Sequence, residues 1–392
     1  MANVNNLEIN KEAYALINEV YEQAVGTKAI APVNTSEFVS MANTILNCGR
    51  EQVLNALSIV VSRLIVSVRP YTSKFKGIEV DVDRFGGIRR KVKFIDKEAI
   101  EDENYPLVDG ASVNQQEVRK HQALELQYVG MNTYSDGWTV YDWQLDQAFL
   151  NEEEFLRFIQ GMMTNIDSKH EQWKENFSRS SLNNFIGAKF TADSGNVRHL
   201  LTEYNTASGQ SLTKEDLLQG TNFKAFIEWL NAEIETTADF MSERSVKYQM
   251  NITGKEVAQH TPKERLKVYL LNKFKNQIDS IVMPNEYHDS YLTLSDYQGI
   301  SYWQSIENPD EVQVKPVYID STGATVYSES DVEIANLIGV MFDEEACAIA
   351  VQSERVVPAP YNARGEYQNY WYHMRTQLLN DLTEKAVLLV LD

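Results

Sequence analysis

The first seventy residues show the three- and four-residue spacing of amphipathic helices. One helix face carries Tyr14, Ile17, Tyr21 and Ala24. Asn34 then stands three residues before Glu37, and this spacing is typical of a capping box that opens a second helix. An apolar stretch over residues 51–68 follows, and Pro70 is expected to end it because proline cannot continue a helix. The pattern predicts short helices and a loop over residues 1–70.

Residues 71–130 change to the alternation of β-strands. Side chains alternate on both sides of Gly86-Gly87, and a glycine pair can adopt the positive φ values of a tight turn. We therefore predict a β-hairpin whose turn lies at this pair. Its return arm carries the cations Arg89, Arg90, Lys91 and Lys93, and the loop after it carries the carboxylates Glu98, Glu101, Asp102 and Glu103. One face has little apolar content, so we expect the hairpin to need a partner surface.

A long helix is predicted from Asn151 onwards. Asn151 can cap it, with Glu154 at the third helical position. The apolar stripe of this helix comprises Phe155, Ile159, Met162, Ile166, Trp173 and Phe177. Over about 25 residues at about 1.5 Å each, the helix would span about 40 Å. Any amphipathic core helix has such a stripe, so the pattern predicts an element and no particular function.

Residues 200–350 mix helical and strand patterns. A helix is predicted over Thr221–Met241, where large apolar residues share one side: Phe223, Phe226, Ile227, Leu230 and Ile234. Three apolar runs predict strands, the first of them leading into a polar helix: Val268–Leu271, Val312–Ile319 and Ile338–Phe342. Gly323 follows Asp320-Ser321-Thr322 and indicates a turn.

The C-terminal residues return to strands. From Tyr370 the side chains alternate with period two. One face would carry Tyr370, Tyr372, Met374, Thr376 and Leu378, and the other Trp371, His373, Arg375 and Gln377. Residues 386–391 form a final apolar strand, which we expect to be packed into a sheet because chain ends fray unless they are tied down.

Composition limits the classes of function. Of the 392 residues 43% are hydrophobic, which is enough for a folded core and not typical of a disordered chain. With 36 basic and 56 acidic residues the formal net charge is −20, so a general affinity for nucleic acid is not expected. Cys48 and Cys347 form neither a disulfide framework nor a metal cluster, which favours synthesis in a reducing cytoplasm.

Neither a targeting segment nor a membrane partner is expected. The N-terminal residues MANVNNLEINKEAY lack the basic start and the apolar run of a signal peptide. Val53–Val68 is the longest apolar stretch, but polar residues interrupt it and it is too short to span a bilayer.

No catalytic constellation stands out. The six histidines lack the spacing of metal ligands, and the sequence has no Gly-x-Ser-x-Gly elbow, phosphate loop or dinucleotide fingerprint. Cys347 stands among apolar residues, which would raise the pKa of its thiol and leave it inert. His288-Asp289 is more typical of surface polarity than of a catalytic relay. We therefore expect no enzymatic activity, no catalytic residue, no cofactor and no metal site.

The strongest local charge signal lies at residues 84–97. It could contact nucleic acid, but only Phe85 and Phe94 are available to stack on bases. A basic arm that docks on an acidic neighbouring subunit is the favoured interpretation, because the whole chain supplies acidic surface. The other alternative is a solvated charged loop.

Two stretches resemble a known family. The segment NTSEFVSMANTILNCGREQVLNALSIVVSRLIVSVRPYTSKFKG is similar to the N-terminal region of major capsid proteins from tailed phages of Gram-positive bacteria. The segment RGEYQNYWYHMRTQLLNDLTEKAVLLVLD resembles the closing strands of the Hong Kong 97 type capsid fold, and the order of predicted elements also matches that fold. The resemblance implies an α+β fold with the following parts: an N-terminal arm over 1–70, an extended hairpin loop over 71–130, a peripheral domain with a spine helix over 131–200, a mainly axial domain over 201–350 and peripheral return strands over 351–392.

The resemblance also implies a function. The chain would be a structural major capsid protein that assembles with itself, as pentamers and hexamers, into an icosahedral shell around double-stranded DNA. It would be located in the virion after synthesis in the host bacterial cytoplasm, with a separate scaffolding protein and a portal protein as partners. Its acidity would keep it from gripping the DNA, and a positive potential on the concave face would contradict this. Candidate inter-subunit contacts are Arg84, Arg89, Arg90, Lys91, Lys93, Trp371 and Arg375.

The sequence leaves three alternatives open. An encapsulin-like nanocompartment shell shares the fold and would differ in the contents of purified shells. A portal or tail tube protein would be another virion component, and a portal would assemble as a ring in electron micrographs. A cytosolic hydrolase that uses scattered acidic residues lacks a motif here, and it would need a deep pocket lined by perturbed carboxylates.

Overall fold

The structure is a computed structural model that describes residues 2–28, 31–63, 73–81, 88–95, 97, 109–110, 116, 118–281 and 297–392. The helices are α1 (Ala2–Val25), α2 (Thr35–Asn47), α3 (Arg50–Arg63), α4 (Asp142–Ala148), α5 (Glu152–Ala192), α6 (Leu200–Ser208), α7 (Lys214–Leu217), α8 (Gly220–Ser242) and α9 (Asn272–Ile281). The strands are β1 (Glu79–Asp81), β2 (Ile88–Ile95), β3 (Gln122–Val129), β4 (Asn132–Tyr141), β5 (Val197–His199), β6 (Leu266–Leu271), β7 (Tyr297–Ile300), β8 (Val312–Val314), β9 (Val317–Ile319), β10 (Thr325–Tyr327), β11 (Val332–Ile334), β12 (Leu337–Asp343), β13 (Cys347–Pro358), β14 (Tyr367–Asn380) and β15 (Ala386–Val390). The predicted mixture of helices and sheets is confirmed.

The second helix begins where the capping pattern predicts. Asn34 Oδ1 accepts a hydrogen bond from the backbone N–H of Glu37 at 2.9 Å. The Glu37 carboxylate in turn accepts one from the backbone N–H of Val33 at 3.0 Å. These bonds satisfy donors that the helix itself cannot pair, and they fix the start of α2 at Thr35.

The N-terminal helices pack onto the body of the chain. Glu152 Oε1, in the first turn of α5, accepts hydrogen bonds from Tyr14 Oη at 3.1 Å and from Thr35 Oγ1 at 2.6 Å. A hydrophobic cluster, called here the N-terminal core, contains residues from each of the five helices α1 through α5 and from strands β4 and β14. It includes Ile17, Val20, Phe38, Ile45, Val53, Leu54, Val140, Leu145, Phe155, Ile159 and Tyr370. The segment expected to be an arm therefore shares a core with the predicted spine helix.

α5 is longer than the sequence pattern predicts. It has 41 residues and so spans about 60 Å at about 1.5 Å per residue. Asn151 caps it as expected, because its Oδ1 accepts a hydrogen bond from the backbone N–H of Glu154 at 2.8 Å. Phe155 near its start belongs to the N-terminal core, whereas Phe185 near its end belongs to a second and larger cluster. α5 thus connects the two cores.

The larger cluster, called here the main core, is built on a five-stranded sheet of order β5-β15-β12-β6-β7. All residues of β15 are buried, and this strand pairs with β12 and with β5. Helix α8 adds Phe226, Ile227, Leu230 and Ile234 to the same core. The predicted helix over Thr221–Met241, the strands at Val268–Leu271 and Ile338–Phe342 and the packed final strand are confirmed. β14 and β15, which the sequence assigns to one unit, lie in different sheets.

A four-stranded sheet of order β1-β13-β14-β4 lies beside α5. The face of β14 that carries Tyr370, Tyr372 and Met374 is buried, and Tyr372 stacks on His170 of α5. Trp371 on the opposite face is exposed, as the alternation predicts. The face that points away from α5 is called here the outer sheet face.

The end of β14 departs from the predicted burial. Gln377 is buried and Leu378 is 38% exposed, although the alternation assigns Gln377 to the same face as Trp371. The cause is tertiary: Gln377 Nε2 donates a hydrogen bond to the backbone carbonyl of Tyr128 at 3.0 Å, so the end of β3 covers this part of the outer sheet face.

The predicted hairpin has a different pairing. β1 pairs in parallel with β13, where Glu79 is opposite Ile349. β2 pairs antiparallel with β3 along its whole length. The prediction that strands on either side of Gly86-Gly87 pair with each other was therefore wrong, and residues 82–87 lie outside the described residues. A glycine pair permits a turn, but long-range contacts decide the strand partner.

The apolar run Val312–Ile319 forms two strands, β8 and β9, instead of the single strand that was predicted. Pro316 lies between them and has no backbone N–H with which to continue a ladder. β8 pairs with β11, and β9 pairs with β10. The predicted turn at Gly323 is confirmed, since its φ is 85° and its N–H donates to the carbonyl of Asp320 at 3.0 Å.

Candidate functional site

The paired strands β2 and β3 are called here the hairpin, and the two large sheets with their helices are called the body. A network of charged side chains attaches the hairpin to the body. Lys91 Nζ lies 3.1 Å from both Glu345 Oε2 and Asp381 Oδ2. Lys91 also contacts Glu384. Lys93 Nζ lies 2.8 Å from Glu384 Oε1 and 3.7 Å from Asp381 Oδ2. Lys93, Asp381 and Glu384 are all buried.

The network keeps Asp381 and Lys91 in their charged forms. Burial by itself would raise the pKa of Asp381, but the ammonium groups of Lys93 and Lys91 lower it below its usual value. Burial would likewise lower the pKa of Lys91, but Asp381 and Glu384 raise it above its usual value. Charged groups in a buried site are stable only with such partners, so the network ties the hairpin to the body.

The hairpin turns apolar side chains outwards. Val92 and Phe94 alternate along β2 with Lys91 and Lys93, so the two pairs occupy opposite faces. Because the lysines face the body, Val92 is left 50% exposed and Phe94 69% exposed. This outer hairpin face therefore exposes two large apolar side chains beside the polar Arg90, Glu125 and Gln127.

The outer sheet face carries an aromatic residue and unpaired cations. Trp371 is 44% exposed and lies over Gly137, where an added Cβ would come within 3.0 Å of the indole ring. Arg355 of β13 lies opposite His373 of β14 on the same face. Arg375 follows two residues along β14. Neither arginine forms an ion pair within the described parts of the chain, so this face presents free positive charge.

The predicted contact residues differ in their positions and partners in the structure. Arg84 and the side chain of Arg89 lie outside the described residues. Lys91 and Lys93 form ion pairs with carboxylates of the same chain, because the turn between β14 and β15 is itself acidic. Exposed side chains remain at Arg90, Trp371 and Arg375. Their contact with a neighbouring subunit stays a prediction.

Val92, Phe94 and Arg355 are not among the contact residues predicted from the sequence. Alternation with the lysines could have indicated that Val92 and Phe94 share a face, but a period of two does not say which face is buried. Arg355 comes next to His373 only through the pairing of β13 with β14, and no local signal predicts that register.

The described residues offer little for catalysis. A cavity of about 470 Å³ lies beneath the hairpin base and is lined by charges of both signs, among them Glu79, Arg90, Lys91, Lys267 and Glu344. Among the residues that the structure describes, no group of His, Cys, Asp or Glu could hold a metal ion. Likewise, none of the described helices is long and apolar enough to cross a membrane.

Cys347 is buried in the main core, next to Ser181 Oγ at 3.7 Å. Burial raises the pKa of the thiol to about 12, as its apolar neighbourhood predicts. A thiol in this state is a poor nucleophile, so the structure gives Cys347 a packing role. His288-Asp289, the other pair considered, lies outside the described residues.

Comparison with known proteins identifies the family. A family model described as Phi29-like phage major capsid protein matches residues 63–390, which include the hairpin, α5 and both large sheets. The chain belongs to this family. Comparison with curated proteins finds no match.

Solved phage structures share the fold. In the capsid structure of Staphylococcus phage Andhra, the similar chain has 12% sequence identity and a TM-score of 0.57, covering 84% of this chain and 88% of that one. In the structure of head fiber and inner core protein gp22 of native bacteriophage P68, the similar chain has 11% identity and a TM-score of 0.55, covering 83% of this chain and 86% of that one. At such identities the similarity concerns the fold alone.

Family membership establishes the role. The capsid protein is a structural virion component that self-assembles into a shell, and it is not an enzyme. This decides against the nanocompartment, the portal or tail tube protein and the hydrolase. The exposed faces of the hairpin and the sheet are therefore candidate assembly surfaces.

Proposed function

We propose that this capsid protein forms an icosahedral shell of pentamers and hexamers around double-stranded DNA, with the outer hairpin face in contact with a neighbouring subunit. The observation that carries the proposal is the outward position of Val92 and Phe94. Large apolar side chains that a chain leaves uncovered on a strand favour burial against another molecule. In a shell-forming protein, a second copy is the partner that is always present.

The outer sheet face is the second proposed contact surface. Tryptophan and arginine are enriched among the residues that dominate binding energy at interfaces, and Trp371, Arg355 and Arg375 lie close together here. The chain has a net charge of −20, so a neighbouring copy offers carboxylates to these cations. Arg90, at 64% exposure beside Glu125, extends the proposed contact onto the hairpin.

The proposal includes the Hong Kong 97 type assignment of the parts. α5 would be the spine helix of the peripheral domain, the β2–β3 hairpin the extended loop, and the five-stranded sheet the axial domain. The order of elements and the similarity to phage capsid folds support this. Because β15 lies in the five-stranded sheet, we place the boundary between the peripheral return strands and the axial domain in residues 381–385, instead of keeping 351–392 together.

Further partners are proposed from the same resemblance. They are a separate scaffolding protein, a portal protein and packaged DNA that is held without sequence-specific contacts. Synthesis in the host bacterial cytoplasm is supported by the use of only two cysteines, one of them buried as a free thiol. The acidic net charge supports weak contact with DNA.

The assembly role of the outer hairpin face can be tested with Phe94→Asp. We expect at least a tenfold loss of shells when the variant is expressed with the neighbouring phage genes, because a buried unpaired carboxylate would oppose the contact. Shells would be counted by electron microscopy after sedimentation. Val33→Asp is the matched control, since Val33 is also exposed, at 76%, but lies outside both proposed surfaces.

The fold of Phe94→Asp should be unaffected, because residue 94 is exposed in the single chain; circular dichroism of the unassembled variant checks this. Shells of normal number from Phe94→Asp would refute the contact. A wild-type protein that stays monomeric under every assembly condition would refute the shell itself.

A further inference from the structure

We propose that Lys91 and Lys93 form an electrostatic latch that sets the angle of the hairpin against the body and so gives the shell a uniform curvature. The inference rests on the proposed function, because it concerns how the outer hairpin face is aimed at its neighbour. It adds a device to the fold: a small buried charge network that acts on a surface elsewhere in the same hairpin.

The partners of the latch lie at the junction of the two large sheets. Asp381 and Glu384 belong to the turn that connects β14 of the four-stranded sheet with β15 of the five-stranded sheet. Lys93 Nζ also donates to Thr383 Oγ1 at 2.7 Å, in the middle of this turn. The latch therefore joins three parts of the molecule at one point: the hairpin and both sheets.

The turn that receives the lysines is held rigidly. The backbone N–H of Asp381 donates to the carbonyl of Ala346 at 2.7 Å, and the N–H of Asp343 donates to the carbonyl of Lys385 at 3.0 Å. Asp381 Oδ1 accepts hydrogen bonds from the backbone N–H and the hydroxyl of Thr383 at 2.9 and 2.6 Å. Because the carboxylates are held in place, they fix the positions of both lysines. The orientation of the hairpin is fixed with them.

Among the described residues, the apolar attachments of the hairpin are two small clusters, one of them Tyr128 packed against Ala348, Ala350 and Leu379. The body side of β3 contributes Leu124 and Leu126, which pack with Ile252 in a separate cluster of three buried residues. Tyr128 accepts the Gln377 hydrogen bond at the base of the hairpin. A cluster of this size, away from the main core, leaves the angle of a two-stranded hairpin loosely defined. Among the described residues, the charge network makes more polar contacts with the body than the single Gln377 hydrogen bond does.

The latch also resists partial release. If the hairpin swung away, Lys91 and Lys93 would lose their contacts with Asp381, Glu384 and Glu345 together, so release requires all of these ion pairs to break. Solvent ions weaken exposed pairs but reach buried ones much less. The closed position is therefore expected to persist over the salt range in which shells assemble.

The test compares Lys91→Met/Lys93→Met with the wild type by hydrogen exchange and electron microscopy. In the variant we expect peptides covering residues 88–95 and 122–129 to exchange at least ten times faster. Peptides of α5 and β12 should keep their exchange rates. Assembled particles should vary in diameter, because each hairpin then meets its neighbour at a different angle.

Two further variants keep the test decisive if buried carboxylates without lysines prevent folding. Lys91→Met/Lys93→Met/Asp381→Asn/Glu384→Gln removes the charges on both sides and should show the same loose hairpin. Lys91→Arg/Lys93→Arg keeps both cations and should keep slow exchange and uniform particles. Slow exchange of the hairpin in the neutral variants, or a uniform particle diameter, would overturn the latch.

The outcome is separable from that of the proposed function. If the wild-type protein formed no shells, the proposed function would fail, while hairpin exchange in the single chain would still report on the latch. If Phe94→Asp abolished shells and Lys91→Met/Lys93→Met left both exchange and diameter unchanged, the contact would stand and the latch would be wrong.

Discussion

His170 lies in α5 with its imidazole stacked on the ring of Tyr372, and the two centroids are 3.3 Å apart. Burial lowers the pKa of His170 to about 4, although the carboxylates of Glu354 and Asp136 oppose this shift. The ring is therefore neutral when it packs against the four-stranded sheet at physiological pH. Its contribution to folding depends on staying neutral.

His170→Gln should make the free energy of unfolding depend less on pH on the acid side of neutrality. Below pH 6.5 the unfolded chain binds a proton that the folded His170 does not bind, so its contribution is full above pH 6.5 and is lost as the pH falls towards about 4. The unassembled wild type should therefore lose more stability than the variant between pH 7 and about 4.5. Urea midpoints at several pH values measure this, and parallel curves would contradict it.

At the scale of elements, the centre of the five-stranded sheet shows how closely strands pack. Gly339 lies in β12 between β6 and β15, beside a shift of register. A Cβ added there would lie 2.4 Å from Leu270 Cδ2 and 2.8 Å from the carbonyl oxygen of Tyr269. Backbone cannot move aside as a side-chain end can, so this position requires glycine for space.

Gly339→Ala is expected to lower the free energy of unfolding by about 1–3 kcal/mol, the usual effect of overpacking a core. Gly161→Ala is the matched control, because no heavy atom lies within 4 Å of its added Cβ and it stands inside α5. That control should gain about 0.5–1 kcal/mol through helix propensity. Denaturant unfolding of the unassembled protein measures both, and equal effects of the two changes would refute the packing argument.

At the scale of the whole molecule, α5 makes the two cores depend on each other. Phe155 packs with Phe38 and Phe149 at one end of the helix. Phe185 packs with Phe342 of the main sheet at the other end. Because one rigid element belongs to both clusters, loss of either core leaves half of the helix without its apolar cover. The chain is expected to unfold as a unit.

Phe38→Ala and Phe185→Ala should therefore shift the same unfolding transition, each by about 3–5 kcal/mol, as expected for a buried phenylalanine. Both side chains are fully buried, one in each core. Tryptophan fluorescence and circular dichroism of the unassembled variants should give coincident curves. A separate early transition in Phe38→Ala alone would show that the N-terminal core unfolds independently.

The sequence by itself determined the elements whose signals are local. The caps at Asn34 and Asn151, the apolar side of α8 and the period of β14 depend on residues within a few positions, and each was predicted from them. The order of these elements, on which the resemblance to capsid proteins rests, could be predicted for the same reason. The inert state of Cys347 followed from its immediate neighbours.

Only the tertiary structure decided which strand β2 pairs with, and which face of the hairpin turns outwards. Lys93 and Thr383 are 290 residues apart in the chain, and no local pattern connects them. The acidic turn draws Lys91 and Lys93 inwards, and this leaves Val92 and Phe94 on the outside. A periodicity of two assigns residues to faces, whereas the choice of the buried face depends on where distant segments supply opposite charge.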